Sequence, residues 1–206
     1  DDTVYLARTF SAEGDRDVWT WSAWIKRSKL GATQTLFSSY FGASASGAFD
    51  FRFGSSDRLE VTAYTTTYLA TNALYKDTSR WYHIVLRTET TNGTADDRFR
   101  LWVDGVEVTS FATRNNPSSG QNTLNYSTQH TMGVYDNGLG QKFDGYIAEV
   151  HFLNGIAATA DDFGNFDANG IWIPKTYTGN YDSAAQITAG VTNGFHLDFS
   201  DNTSTT

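Results

Sequence analysis

The chain has 206 residues and a formal net charge of −8, spread so evenly that its 15 Lys and Arg form no run. A phosphate-backbone partner needs clustered cations, so nucleic acid is not expected. Cysteine is absent, which excludes disulfides, thiolate metal centres and a cysteine nucleophile, and no apolar run is long enough for membrane insertion. The absence of cysteine leans toward a microbial or viral source, and the Asp1-Asp2 start suits a processed or excised piece of a longer protein.

Aromatics make up 15% and charged residues 18%, with Gly 18 against Pro 2, a balance that suits strands joined by tight turns. Val4-Tyr5-Leu6 reads as an opening strand. Residues 17–27, DVWTWSAWIKR, alternate so that Trp19, Trp21, Ala23 and Ile25 share one face, with Thr20, Ser22, Trp24 and Lys26 on the other. Residues 35–39 follow, then the small-residue loop FGASASGA and FDFRF, with Phe49, Phe51 and Phe53 on one side. Residues 58–64 alternate again. RWYHIVLR, residues 80–87, sets Tyr82, Ile84 and Leu86 against Trp81, His83 and Val85.

Residues 98–103 meet Asp104-Gly105 before Val106-Glu107-Val108, a strong hairpin signal because both central turn positions favour positive φ. A loop at 115–120 and a strand near 131–135 lead to FDGYIAEVHFLNG, residues 143–155. Strict alternation there points Tyr146, Ala148, Val150 and Phe152 one way and Ile147, Glu149, His151 and Leu153 the other. One short helix is expected near 158–163, with Thr159 as N-cap. Residues 194–199 form a last strand whose expected partner is the first. The predicted fold is all-β, a two-sheet antiparallel β-sandwich with at most that short helix.

Five motifs occur in order: VWTWSAWIKR, LFSS, RWYHIVLR, RLWVDGVEV, and FDGYIAEVHFLNG followed by TADDF. Together they resemble the laminin-G-like jelly rolls of the concanavalin A-like superfamily over about residues 17–163. The flanking YLARTFSAEGDRDVWTWSAWIKRS, GIWIPKTYTGNY and NGFHLDFSDNT resemble versions carried by bacteriophages of marine bacteria. The resemblance implies one laminin-G-like domain over 1–206, with 164–206 wrapping back to add a strand. It also implies a virion or extracellular setting, other virion proteins as partners and a possible homo-oligomer.

That superfamily includes glycosidases, and retaining ones need two carboxyl groups about 5 Å apart. No Glu-x-Asp-x-Glu strand occurs here, and Glu13, Glu60, Glu89 and Glu107 are scattered. Glu149 therefore reads as structural, paired with a neighbouring strand or with His83. His83, His130, His151 and His196 show no metal spacing, and His83 reads as a satisfied interior histidine. No Gly-x-Ser-x-Gly elbow or phosphate-binding glycine loop is present. The chain is expected not to be an enzyme.

The resemblance also brings in calcium near the sandwich rim, although no cofactor is required. Candidate ligands are Asp136, Asn137 and Asp50, with Asp96-Asp97 as a further acidic turn. Asp and Asn also simply make turns. Tyr135 beside Asp136 and Asn137 would join an aromatic platform to polar partners, the composition of a sugar site. Tyr40-Phe41, Tyr68, Tyr75 and Trp172 are further candidates for exposed rings. The functional expectation is a non-catalytic phage fibre, tail or head-decoration module contacting host-surface glycans. A purely structural virion subunit is the main alternative, and a glycoside hydrolase the lesser one.

Overall fold

The structure, a computed structural model, describes residues 5–44, 46–135 and 138–199. Its first strands are β1 Leu6–Thr9, β2 Val18–Arg27, β3 Gln34–Tyr40, β4 Ala48–Phe53, β5 Leu59–Ala63 and β6 Thr66–Thr71. Next come β7 Tyr82–Glu89, β8 Phe99–Val103, β9 Val106–Glu107, β10 Phe111–Arg114 and β11 Gln129–Met132. The chain continues through β12 Gly145–Asn154, β13 Gly164–Phe166 and β14 Trp172–Pro174 to helix α1 Ala184–Thr188 and strand β15 Phe195–Leu197.

A seven-stranded sheet, β1-β11-β3-β4-β5-β6-β10, faces a six-stranded sheet, β15-β12-β2-β7-β8-β9, and β13-β14 forms a separate hairpin. Among these strands every pairing is antiparallel. This is the predicted two-sheet sandwich.

The alternation in β2 explains its place at the centre. Trp19, Trp21, Ala23 and Ile25 are fully buried and meet Phe49, Phe51 and Phe53 of β4 across the sandwich. Trp19 sits edge-on to Phe49 at 5.3 Å and Trp21 to Phe51 at 5.4 Å. Each such side chain contributes about 1.5–3 kcal/mol by leaving water. Asp104 and Gly105 both take positive φ, +50° and +78°, as the hairpin reading requires.

A second, smaller core lies on the outer face of the six-stranded sheet. Val85, Trp102 and Leu153 are covered there by Ala158, Ala160, Phe163 and Trp172 from the C-terminal segment. Part of the face that sequence alternation leaves polar or exposed is thus buried by chain that returns over it.

Three expectations are corrected. The last strand does not pair with the first: β15 pairs with β12, and β1 with β11 in the other sheet. Stacking of Phe195 on Phe152 and of His196 on His151 holds β15 there, whereas β1 is exposed along its length and offers no apolar face. Among the described residues the two ends meet through the Arg8 guanidinium, which donates to the carbonyls of Thr192 and Asn193 at 3.1 and 3.4 Å, and through Asn193 Nδ2, which donates to the Ala12 carbonyl at 3.0 Å.

The helical segment expected at 158–163 is a short 3-10 helix, Ala160–Asp162, with Thr159 at its N-cap, where the Asp162 carboxylate accepts from the Thr159 N–H at 2.8 Å, but it is not the last helix of the chain. The one α-helix among the described residues is α1, where Ser183 Oγ accepts from the Gln186 N–H at 3.4 Å.

The third correction is a β-bulge. Between Ala148 and His151, β12 carries one residue more than β2, and Glu149 takes a φ of +48°. One extra residue exchanges the faces of everything before it. Ile147 therefore turns into the core with Val150 and Phe152, and Tyr146 turns out to solvent.

Candidate functional site

The C-terminal segment covers only part of the six-stranded sheet's outer face. At the uncovered part, Tyr146 of β12 lies opposite Lys26 of β2. The β2–β7 register, which pairs Ile25 with Tyr82, places Trp81 on the other side of Lys26. Tyr146 is 62% exposed and Trp81 38% exposed, and their ring centroids are 6.4 Å apart. Arg80, ion-paired with Asp104, borders the same edge.

Gly145 makes this start of β12 possible. A Cβ at that position would collide with the carbonyl oxygen of Lys26, so only glycine lets the strand begin against β2. The result is two accessible aromatic rings beside charged side chains, able to pack on an apolar ring face and bond its polar rim. Alternation in RWYHIVLR separates Trp81 from Tyr82, Ile84 and Leu86 without saying which face is the core, and Trp81 was not among the rings expected to be exposed. Tyr146 was missed because the bulge reverses its face.

The sequence-predicted rim is partly assembled on the other sheet. Tyr135 is half-buried, its N–H donates to the Gly140 carbonyl at 2.8 Å, and its ring lies 6.4 Å from that of Tyr40. Asp136 and Asn137 lie outside the described residues. Asp50 is buried on β4, and Arg52 spans it and Glu60 at 3.1 and 3.0 Å. The Arg52 guanidinium also donates to Gln141 Oε1 at 3.4 Å, so Gln141 and Asp50 share one face.

Burial pushes the Asp50 carboxyl up to about 6 against the pull of Arg52. One Asp50 oxygen is buried without a partner, but the carboxylate's counter-charge already comes from Arg52. Calcium needs six to eight oxygens, and at Asp50 it would meet a guanidinium. The described residues around Asp50 therefore fit calcium poorly. Asp96 is likewise engaged, by Arg114 at 3.1 Å and Asn116 at 2.6 Å.

Of the other candidate rings, Phe41 is exposed, but Tyr68, Tyr75 and Trp172 are buried. Trp172 packs on the outer sheet face, and its indole N–H donates to His83 Nδ1 at 3.0 Å. His83 Nε2 is then the protonated nitrogen and bonds Ser22 Oγ at 2.9 Å. Burial, with a smaller effect from His151, lowers His83 to about 3, so it is the neutral interior histidine expected.

Glu149 pairs with a neighbouring strand, as one of its two expected partners required; the contact is His196 Nε2 of β15, at 2.9 Å, and not His83. His196 faces His151 across the β12–β15 ladder, with ring centroids 4.2 Å apart. Two histidines and an acid without metal spacing in the sequence are thereby brought together.

A family model described as the concanavalin A-like lectin/glucanases superfamily matches residues 2–162. No curated protein sequence matches the chain. Among solved structures, domain 4 of the extracellular GH43 arabinanase AbnA of Geobacillus stearothermophilus, in complex with arabinotriose, aligns with a TM-score of 0.54 at 16% identity, over 77% of this chain and 70% of that one. The heptameric SAP-like pentraxin of Limulus polyphemus aligns at 0.53 and 14%, over 74% and 70%. Full-length tailspike protein 2 of the Escherichia coli O157:H7 bacteriophage CAB120 aligns at 0.51 and 15%, over 76% of this chain and 22% of the tailspike. At these identities the likeness is one of fold.

Proposed function

The chain belongs to the concanavalin A-like lectin/glucanases superfamily, and on that premise we propose that it is a non-catalytic carbohydrate-binding module of a surface-displayed assembly, a phage fibre, tail or head decoration. The observation that carries this reading is the uncovered Trp81–Tyr146 pair flanking Lys26. A pyranose presents an apolar face and a polar rim, which suit the two rings and their charged neighbours. One shallow site binds weakly, and repetition on a particle supplies avidity. The tailspike likeness agrees with such a setting at the level of fold.

Two features favour binding over hydrolysis. Arg52 stands between Asp50 and Glu60, where a glycosidic bond would have to lie. Glu149 is paired with His196 and not with a second acid. A purely structural subunit is the second reading, favoured by the β13–β14 hairpin, which exposes Phe166, Ile171 and Ile173 as an apolar patch of the kind that subunit contacts cover.

The test is a glycan array probed with the domain in monovalent and multivalent form, with calcium and with chelator. Selective multivalent binding is expected, weakened about tenfold by Trp81→Ala or Tyr146→Ala, which is roughly 1.4 kcal/mol. Selective binding that ignores both substitutions but needs calcium would move the site to the 135–141 loop. A blank array in both formats would favour the structural subunit.

A further inference from the structure

His83 and His130 each use both ring nitrogens within the protein. His83 is held by Ser22 and Trp172, and His130 by the Asn125 N–H at 3.1 Å and the Thr128 carbonyl at 3.1 Å. The other two histidines sit together. His151 and His196 are paired residues of β12 and β15, and the bulge at Glu149 sets a carboxylate beside them. One ligand atom from each of Glu149, His151 and His196 lies within 4.8 Å of the other two.

We propose that Glu149, His151 and His196 form a binding site for a divalent transition metal ion, Zn²⁺ by their chemistry. Two imidazoles and one carboxylate are a zinc ligand set, whereas calcium, which takes oxygen ligands, would meet two ring nitrogens even with Asp198 bordering the same cavity. Two ligands on a tetrahedral zinc stand about 3.3 Å apart, given bonds of about 2.0–2.1 Å. Glu149 Oε2 and His196 Nε2 are already 2.9 Å apart, close to ligand spacing, and the set closes by turning the exposed His196 and the half-buried Glu149.

His151 carries the outer-shell bond that metal-ligating histidines make. Its Nδ1 is 3.2 Å from Tyr181 Oη, which leaves Nε2 as its ligand atom. Tyr181, His151 and His196 are stacked nearly parallel, at 6° to 9°; an imidazole donates in its ring plane, so Tyr181 holds His151 while the exposed His196 turns out of the stack to reach the ion. A cavity of about 400 Å³ opens over the three residues, leaving room for a water as fourth ligand. Lys175 borders it, but its ammonium donates to the Asp161 carbonyl at 2.9 Å. The bound ion would staple the C-terminal strand to the sheet.

Zn²⁺ titration of the metal-free chain by calorimetry tests this, with Co²⁺ absorption as a second readout. One equivalent should bind, with four-coordinate Co²⁺ bands and a raised melting temperature. His196→Ala and Glu149→Ala, both at accessible positions, should weaken affinity by at least about tenfold and abolish the thermal shift. Excess Ca²⁺ should not compete. Absence of saturable Zn²⁺ binding by the unmodified chain, or equal affinity in His196→Ala, would overturn the site.

Discussion

Asn154 has no exposed surface and bonds through both its amide oxygen and its amide nitrogen. Its Oδ1 accepts from the Asp15 N–H at 2.9 Å and from Asn125 Nδ2 at 2.7 Å, while its Nδ2 donates to Asp182 Oδ1 at 2.8 Å. Asn193 Nδ2 extends the network to Asn125 Oδ1 at 2.9 Å, and the Gly194 N–H donates to Asp182 at 2.9 Å. Four distant stretches of chain are joined through one amide. Truncating it strands buried donors and acceptors, so Asn154→Ala should lose about 2–4 kcal/mol in urea unfolding. An unchanged midpoint would mean that water replaces the amide. Nothing in the alternation around Asn154 marks this role, because its partners are far away in sequence. The burial of Trp19, Trp21 and the β4 phenylalanines, by contrast, follows from spacing within single strands.

β12 shows how one element decides what the surface offers. Its alternation is readable on either side of Glu149 but not across it, and the bulge leaves no residue-type signature, since a glutamate occupies the positive-φ position. This is why Tyr146 and Ile147 are exchanged relative to expectation. Gly145→Ala tests the geometry at the same element. Its Cβ would strike the Lys26 carbonyl, forcing the first pairs of β12 apart and displacing Tyr146. A loss of about 1–3 kcal/mol is expected, with a parallel loss of glycan binding. If the variant kept both, the start of β12 would not position the platform. The choice of partner for β15 is equally unreadable from its own three residues: it depends on which rings it stacks against, Phe152 and His151.

The whole molecule carries an acid sensitivity. Burial holds His83 and His130 at about 3, and holds His151 at about 4 with help from His196. Unfolded, each would titrate near 6.5. The unfolded chain therefore binds protons that the folded chain excludes, so stability is full above about pH 6.5 and lost as pH falls toward 4. Asp50 works the other way: its raised value near 6 makes the folded state the better proton binder between about 4 and 6. Asp50 against the three imidazoles leaves a net uptake of about two protons on unfolding, which Asp104, also raised by burial, reduces. That is roughly 3 kcal/mol per pH unit between pH 6 and 4.5, to order of magnitude. Thermal unfolding at pH 7, 6 and 5 should show a steep fall in melting temperature. A flat profile would mean that the buried imidazoles are solvated before global unfolding.

By itself the sequence determined the all-β class, the Asp104–Gly105 hairpin, most of the core and the resemblance to its superfamily. Each rests on period-two alternation or turn chemistry, which are local properties of the chain. Tertiary structure decided which outer faces stay open, which edge accepts β15, and that Glu149, His151 and His196 meet. Those outcomes depend on a one-residue bulge and on the returning C-terminal segment, which couple residues far apart in sequence. No local period encodes them.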